Sequence, residues 1–413
     1  MKSLLDPESI GRYADCIVKG CLSLGDGHDL ILTCQPAHRE LAVAIVEAAY
    51  RAGARSVETV LMDPYLRAAR VRSAPDAVLG YVTPWQAARF RSQIKPETAT
   101  CLISGESLPG ALDGLPVERL VADATRPLER LKDVLREARK GKRRWTIAAW
   151  PSEGWASQVY PKLDPLRAQR KLARDLLSFS RLGPDDPPGI KGWTRHLTRL
   201  DRRAQKMTKL ALQRIELRGP GTELDMRLAP GTVILGGSEV NAYGFRTGPN
   251  IPTEEVFTSP EAAATEGTFR CSRPLAFQGR VIEGITGEFC GGRLKRIDAS
   301  KPKDRDFLAG YLGSIKNADR LGEVAFVDSS SRIGQSKKVF FNTLLDENAA
   351  SHIAFGSSFP KTRAADPSAR GDRGLNRSQT HLDVMIGTDD MEITGIDAKG
   401  KRIPLIADGV WQI

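Results

Sequence analysis

The sequence predicts an α/β N-terminal domain with a mostly parallel sheet, followed by an α+β, antiparallel-β-rich C-terminal domain. Three observations predict it. The chain has 413 residues, enough for two domains at roughly 100–200 residues each. Its first half alternates helix-like and strand-like runs, the signature of a parallel sheet covered by helices. From position 216 the texture changes to short β-rich runs separated by Gly, Asp and Pro. The two units are accordingly 1–215 and 216–413.

The elements follow in order. HDLILTCQ is a short apolar run and reads as a strand. Residues 39–53, RELAVAIVEAAYRAG, carry apolar side chains on helical spacing and end at Gly53, a C-cap residue. RSVETVLMD then reads as a strand ending at Asp63. Val117–Ala122 (VERLVA) and Trp145–Ala149 are expected to be further strands, with a helix over 127–140 between them. Residues 163–215 are almost continuously helical in pattern, with a break at GPDDPPG. Beyond them GPGTELDMRL, GTVILGG, the run from Glu266 to Asp298, and GEVAFVD read as antiparallel strands. Residues 361–374, KTRAADPSARGDRG, are expected to form a loop.

Composition narrows the function classes. Apolar residues make up 41% and charged residues 27%, as in a folded soluble protein rather than a disordered or fibrous one. No stretch approaches the roughly 18 apolar residues of a membrane span. The opening MKSLLDPESIGRYADC has an acid by position 6 and no long apolar core, so no secretory leader is expected and a cytoplasmic location is. The six cysteines contain no CxxC pair and are read as buried or free thiols. A net charge of +11 raises nucleic-acid binding, but apart from the run Lys140–Arg144 and the stretch Lys191–Lys209 the basic residues are dispersed, no aromatic-interleaved basic motif is present, and a solvated basic face is the simpler reading. There is no P-loop, no GxGxxG after a strand, no GxSxG and no HExxH.

The chemistry gathers in the second half. His381 and Asp383 lie two residues apart in THLDVMIG, so a strand there points both to one face. His352 follows Asp346, Glu347 and Asn348 in LLDENAASHIAFG. Glu323 opens the apolar run GEVAFVD, and Glu254 and Glu255 lie between prolines in PNIPTEEVFTSP. Each alone has an ordinary structural explanation. Together, two histidines and several carboxylates beside apolar runs suit Zn²⁺, Co²⁺ or Mn²⁺. Such a set is large enough for two ions about 3.5–4 Å apart with one carboxylate bridging, which is machinery for hydrolysing an amide. His28 and His196 have no such company, and Trp193 with His196 reads as a packing face.

PNIPTEEVFT, LGEVAFVD, NTLLDENAASHIAFG and NRSQTHLDVMIG, in this order, closely resemble the thermophilic metalloaminopeptidases, the aminopeptidase T and aminopeptidase S family. YADCIVKGCLSLGDGHDLILT, AAYRAGARSVETVLMD and AAWPSEGWASQVYP resemble that family's N-terminal domain, so the likeness extends over nearly the whole chain. The resemblance implies an aminopeptidase acting on peptides or small amides, a metal-binding C-terminal domain, two divalent ions and a homodimer. It implies metal ligands at Glu255, Glu323, His352, His381 and Asp383, with Glu323 the bridging candidate. Glu254 is the candidate for moving the proton to the leaving amine.

One position departs. Where the family carries a metal-linked tyrosine, this chain has Phe359, which has no oxygen to coordinate or donate. The change weighs against ordinary aminopeptidase activity and opens alternatives. One is a relative specialised for a non-peptide small molecule, its positive field favouring anions. Another is a mononuclear iron ring-cleaving dioxygenase built on His352, His381 and Asp383; a third is a binding protein that kept the fold.

Overall fold

The computed structural model describes residues 3–105, 110–364 and 374–413. The first half builds four strands of a five-stranded, wholly parallel sheet, ordered Ser56–Leu61, Asp29–Cys34, Thr98–Ser104, Trp145–Ala149, and Asn250–Ile251 of the second half completes its edge. Helix Arg39–Arg51 buries Leu41, Ile45, Ala48 and Ala49, the stripe its apolar spacing dictates. All six cysteines are free, and four of them are buried. The expected α/β unit with a parallel sheet is thus present.

The second half is antiparallel. Eight strands form one sheet, in the order Arg293–Asp298, Thr286–Cys290, Thr265–Arg270, Thr222–Arg227, Leu212–Gly219, Glu392–Asp397, Arg402–Ala407, Val410–Trp411. Four form another: Val256–Thr258, Leu321–Phe326, His352–Gly356, His381–Met385. One core joins the two sheets. Ile215, Leu217, Leu224 and Phe269 of the larger pack in one cluster with Val324, Phe326, Ile353, Phe355, Leu382 and Val384 of the smaller.

Two segments tie the halves together. Asn250–Ile251 pairs with Trp145–Ala149, and seven residues later the same run contributes Phe257 to the four-stranded sheet. Helices Glu153–Val159 and Pro165–Phe179 pack Trp155, Leu172, Leu176 and Phe179 against Ile333, Phe340, Leu344 and Leu345. Trp155 Nε1 also donates to the Phe340 carbonyl at 2.5 Å. That cluster holds the segment leading to His352 in place.

Several local expectations are corrected. Val117–Ala122 is not a strand but the start of helix Val117–Arg130, which buries Leu120 and Asp123 at helical spacing; Arg67 and Arg70 bind Asp123. The helix expected over 127–140 is split among Val117–Arg130, Lys132–Glu137 and a π turn Ala138–Lys142. Strand Thr98–Ser104 was not anticipated. The helical reading of 163–215 overshoots, since strand Leu212–Gly219 begins within it. Of the loop expected at 361–374, residues 365–373 lie outside the described residues.

Candidate metal centre

Strand periodicity sorts the side chains of the four-stranded sheet. Val324, Phe326, Ile353, Phe355, Leu382 and Val384 face the core. Their neighbours Glu323, His352, His381 and Asp383 face the other way, into a cavity of about 1110 Å³. The register places Ala354 opposite both Glu323 and Asp383, and Gly356 opposite His381. The small residues between the polar ones leave room above the sheet. Glu255 enters from the start of Val256–Thr258 and also lines the cavity.

Five of the predicted residues therefore come together. One oxygen or nitrogen from each of Glu255, Glu323 and His352 lies within 4.8 Å of the others, and the same holds for Glu323, His381 and Asp383. Glu323 belongs to both groups. His352 Nε2 is 3.2 Å from Glu255 Oε2. His381 Nε2 is 2.9 Å from Glu323 Oε2 and 3.2 Å from Asp383 Oδ1. All but His381 are buried.

The backbone sets which nitrogen of each ring faces the acids. His381 Nδ1 is 2.9 Å from the Ser357 carbonyl, and His352 Nδ1 is 3.3 Å from that of Ala350. A carbonyl only accepts, so Nδ1 carries the proton and donates. Nε2 of a neutral ring then offers a lone pair to carboxylate oxygens, acceptor against acceptor. Only a proton or a metal ion between them makes that arrangement favourable. Buried imidazoles and carboxylates with fixed tautomers are the donor set a divalent cation needs, and the residues present fit one.

The electrostatics agree. Burial disfavours a charged His352, but hydrogen bonding to Glu255 and the surrounding acids push its pKa up to about 10. Burial likewise opposes charging His381, and Asp383 and Glu323 outweigh it. Burial lifts Glu323 above the usual carboxylate range, His381 opposing and Glu255 and Asp383 adding to the rise. Burial would raise Asp383 too, yet His381 holds it below that range. The site concentrates negative charge that demands cations.

Glu254 is a correction. Strand-like spacing turns it away from Glu255, and its carboxylate is held by Arg181 at 2.5 and 3.0 Å, outside the cavity lining. Glu347 was not singled out by the sequence reading, yet it is buried in the cavity wall facing Asp383 and Glu255. Burial, then the charge of those acids, pushes its pKa well up. Its Oε1 lies 3.3 Å from Asn250 Nδ2 and 3.4 Å from Asn348 Nδ2. Its place directly after Asp346 in the DENAAS run was the one available signal. Phe359 does line the cavity, its ring centroid 5.1 Å from that of His381 and 5.0 Å from that of Phe257. His196 packs outside the cavity, Nε2 donating to the Thr253 carbonyl at 2.7 Å.

Comparison with known proteins places these features. The family model for thermophilic metalloproteases (M29) matches residues 7–411. Aminopeptidase T of Thermus aquaticus is 32% identical over 408 residues, 98% of this chain and 99% of that protein. The structure of wild-type AmpT from Thermus thermophilus superposes with a TM-score of 0.87 at 32% identity, over 98% of this chain and 99% of that one. The structure of 2,5-dihydroxypyridine dioxygenase from Pseudomonas putida KT2440 superposes with a TM-score of 0.53 at 13% identity, over 97% of this chain and 96% of that one, a likeness of fold alone.

Proposed function

The chain belongs to the thermophilic metalloprotease (M29) family, and from that premise we infer that it is a metal-dependent aminopeptidase acting on peptides. Divalent metal ions are its cofactors. The observation that carries the reading is the sharing of Glu323 between two ligand groups beneath one cavity. The alternatives raised by Phe359 are not favoured: the family model and a relative aligned over 98% of the chain are both of peptidases.

The finer assignment is our proposal. Glu255, Glu323, His352, His381 and Asp383 hold two ions per protomer, with Glu323 contributing to both. Mixed imidazole and carboxylate donors suit zinc, cobalt or manganese before iron. Bound there, divalent ions supply polarisation of the scissile carbonyl and a water acidic enough to attack at neutral pH.

The chain's own groups do the rest. The Ala350 and Ser357 carbonyls keep the Nδ1 protons of His352 and His381, so that Nε2 stays turned to the centre. Glu347, and not Glu254, is the carboxylate placed to take a proton from the attacking water and pass it to the leaving amine nitrogen. Asn250 and Asn348 orient its Oε1. Phe257 and Phe359 form an apolar wall beside His381 that limits water there.

We extend the proposal to assembly, location and domain division. Leu61, Met62, Tyr65 and Leu66, at and just after the end of an edge strand of the parallel sheet, are each at least 47% exposed, a patch suited to a second copy of the chain. No helix among the described residues is long and apolar enough to cross a membrane, in keeping with a cytoplasmic homodimer. We divide the chain at 215.

Release of leucine from leucine p-nitroanilide and from peptides by metal-loaded protein, lost to a chelator and restored by metal, tests the reading. Absence of turnover after metal loading contradicts it.

A further inference from the structure

The cavity wall contains a cation that the hydrolytic chemistry does not use. Arg143, Trp145 and Ile147 alternate at strand spacing and all three line the cavity. The Arg143 guanidinium is largely enclosed. Its Nε is buried without a hydrogen-bond partner, and its Nη2 has one long contact, 3.5 Å, to Thr100 Oγ1. Its carbon lies 5.7 Å from the Trp145 ring centroid. Among the described residues no carboxylate forms an ion pair with it. Glu239, whose charge acts on it, is bonded to Lys361 Nζ at 2.8 Å.

Three other arginines of the wall are matched to acids. Arg67 and Arg70 bind Asp123 at 2.9 and 2.8 Å, and Arg280 is 3.6 Å from Asp304. Arg139 donates to the Ser378 carbonyl at 3.4 Å, which leaves its charge to add to the field at Arg143. Enclosing a guanidinium without an acceptor is costly, and the cost is recovered when an anion binds it. A guanidinium presents paired N–H donors that match a carboxylate.

Its position relative to the metal centre suggests which carboxylate. Ile147 stands in register with Asn250, and Asn250 touches Glu347 at 3.3 Å. From Ile147 back to Arg143 is about 13 Å of strand, at roughly 3.3 Å per residue. An extended peptide advances roughly 3.3–3.6 Å per residue, so one of about four residues spans that length.

We propose that Arg143 is a substrate-binding residue that takes a carboxylate on the leaving-group side of the scissile bond, selecting short peptides of about four residues. The proposal rests on the aminopeptidase reading. The carboxylate has two sources, the free C-terminus of a short peptide or an acidic side chain in a longer one.

The test compares kcat and KM of the full-length, metal-loaded protein on three tetrapeptides: Leu-Gly-Gly-Gly as free acid, the same sequence as C-terminal amide, and Leu-Gly-Gly-Asp amide. The free acid is expected to exceed the amide by about tenfold or more in kcat/KM, chiefly through KM, as for a hydrogen bond to a charged group. Arg143→Gln should bring that ratio to about one, and Arg143→Lys should keep part of it. Each ratio is taken within one protein, so partial misfolding of a variant does not imitate it. A preference for the free acid alone assigns the C-terminus; recovery with the Asp amide assigns an acidic side chain. Equal kcat/KM for all three peptides in the wild type overturns the proposal, as does a preference for the carboxylate-bearing peptides that Arg143→Gln leaves unchanged. Failure of the wild type to turn over any peptide or leucine p-nitroanilide overturns the aminopeptidase reading beneath it, and is distinct from turnover without preference.

Discussion

Arg181 clamps Glu254 through both guanidinium nitrogens, Nη1 to Oε1 at 2.5 Å and Nη2 to Oε2 at 3.0 Å, with both side chains buried. The pair lies directly behind Glu255. Asn348 Oδ1 accepts from the Glu254 amide at 2.7 Å and from Thr253 Oγ1 at 3.2 Å, and His196 holds the Thr253 carbonyl. Arg181 itself takes a left-handed backbone, φ 58°, a conformation that costs energy outside glycine and that its surroundings must enforce. Three side chains thus fix the backbone that presents Glu255.

Arg181→Ala should therefore cost more than a surface change. Removing one partner of a buried pair leaves an uncompensated charge and costs about 3–5 kcal/mol. Glu254→Gln should destabilise less, since the amide still accepts one bond. Both should bind metal less tightly through a displaced Glu255. Urea unfolding with metal titration checks this, and wild-type stability in Arg181→Ala would refute the clamp.

Phe359 occupies the cavity wall beside His381, at the position where the family resemblance implies a tyrosine. Phe359→Tyr restores a hydroxyl without changing the ring. It should raise metal affinity about 10-fold, in the range of a group supporting a metal ligand, and raise kcat with it. Metal-binding titrations and turnover of leucine p-nitroanilide read the effect. Unchanged metal affinity and turnover would mean that the hydroxyl has no role in this member.

His38 predicts an acid-labile fold. It is fully buried, with Nε2 donating to the Gly105 carbonyl at 2.7 Å and Nδ1 accepting from the Gln35 amide at 3.3 Å. Burial pulls its pKa down to about 4, against about 6.5 in the unfolded chain. Between those values the unfolded state binds a proton that the folded state does not, so stability rises with pH. The contribution is complete above pH 6.5 and falls by about 3 kcal/mol as pH drops to 4, at about 1.4 kcal/mol per unit. His38→Gln should narrow the difference between urea midpoints at pH 7.5 and 4.5. The same difference in variant and wild type would rule the effect out.

The exposed patch predicts the state of assembly. Leu66 is 68% exposed and Tyr65 62%. The wild type should sediment at about twice the 45.2 kDa of one chain, and Leu66→Arg should shift it toward the monomer by placing a charge in an apolar interface. A monomeric wild type would contradict the homodimer.

Strand spacing made most of the centre legible. His381 and Asp383 alternate with Leu382 and Val384, and the expected shared face is the observed one. Glu254 stands apart from the centre although it adjoins Glu255 in sequence, because neighbours in extended chain point to opposite sides. Glu347 was not singled out because its partner Asn250 comes from the far edge of the other sheet. Arg143 lies in a run of basic residues that reads as a solvated face, and only the tertiary fold turns one of them inward. VERLVA reads as a strand because four of its six residues are apolar; Arg67 and Arg70 at Asp123 show the helical face that sequence distance conceals.

The most direct test of the central claim is metal content per protomer, measured by elemental analysis on protein purified without chelator, for wild type and His381→Ala. Two equivalents of zinc, cobalt or manganese are expected in the wild type, with peptide hydrolysis that follows occupancy. In His381→Ala both metal content and activity should fall. A single equivalent of iron, or full hydrolysis by metal-free protein, would contradict a two-ion hydrolytic centre on these five residues.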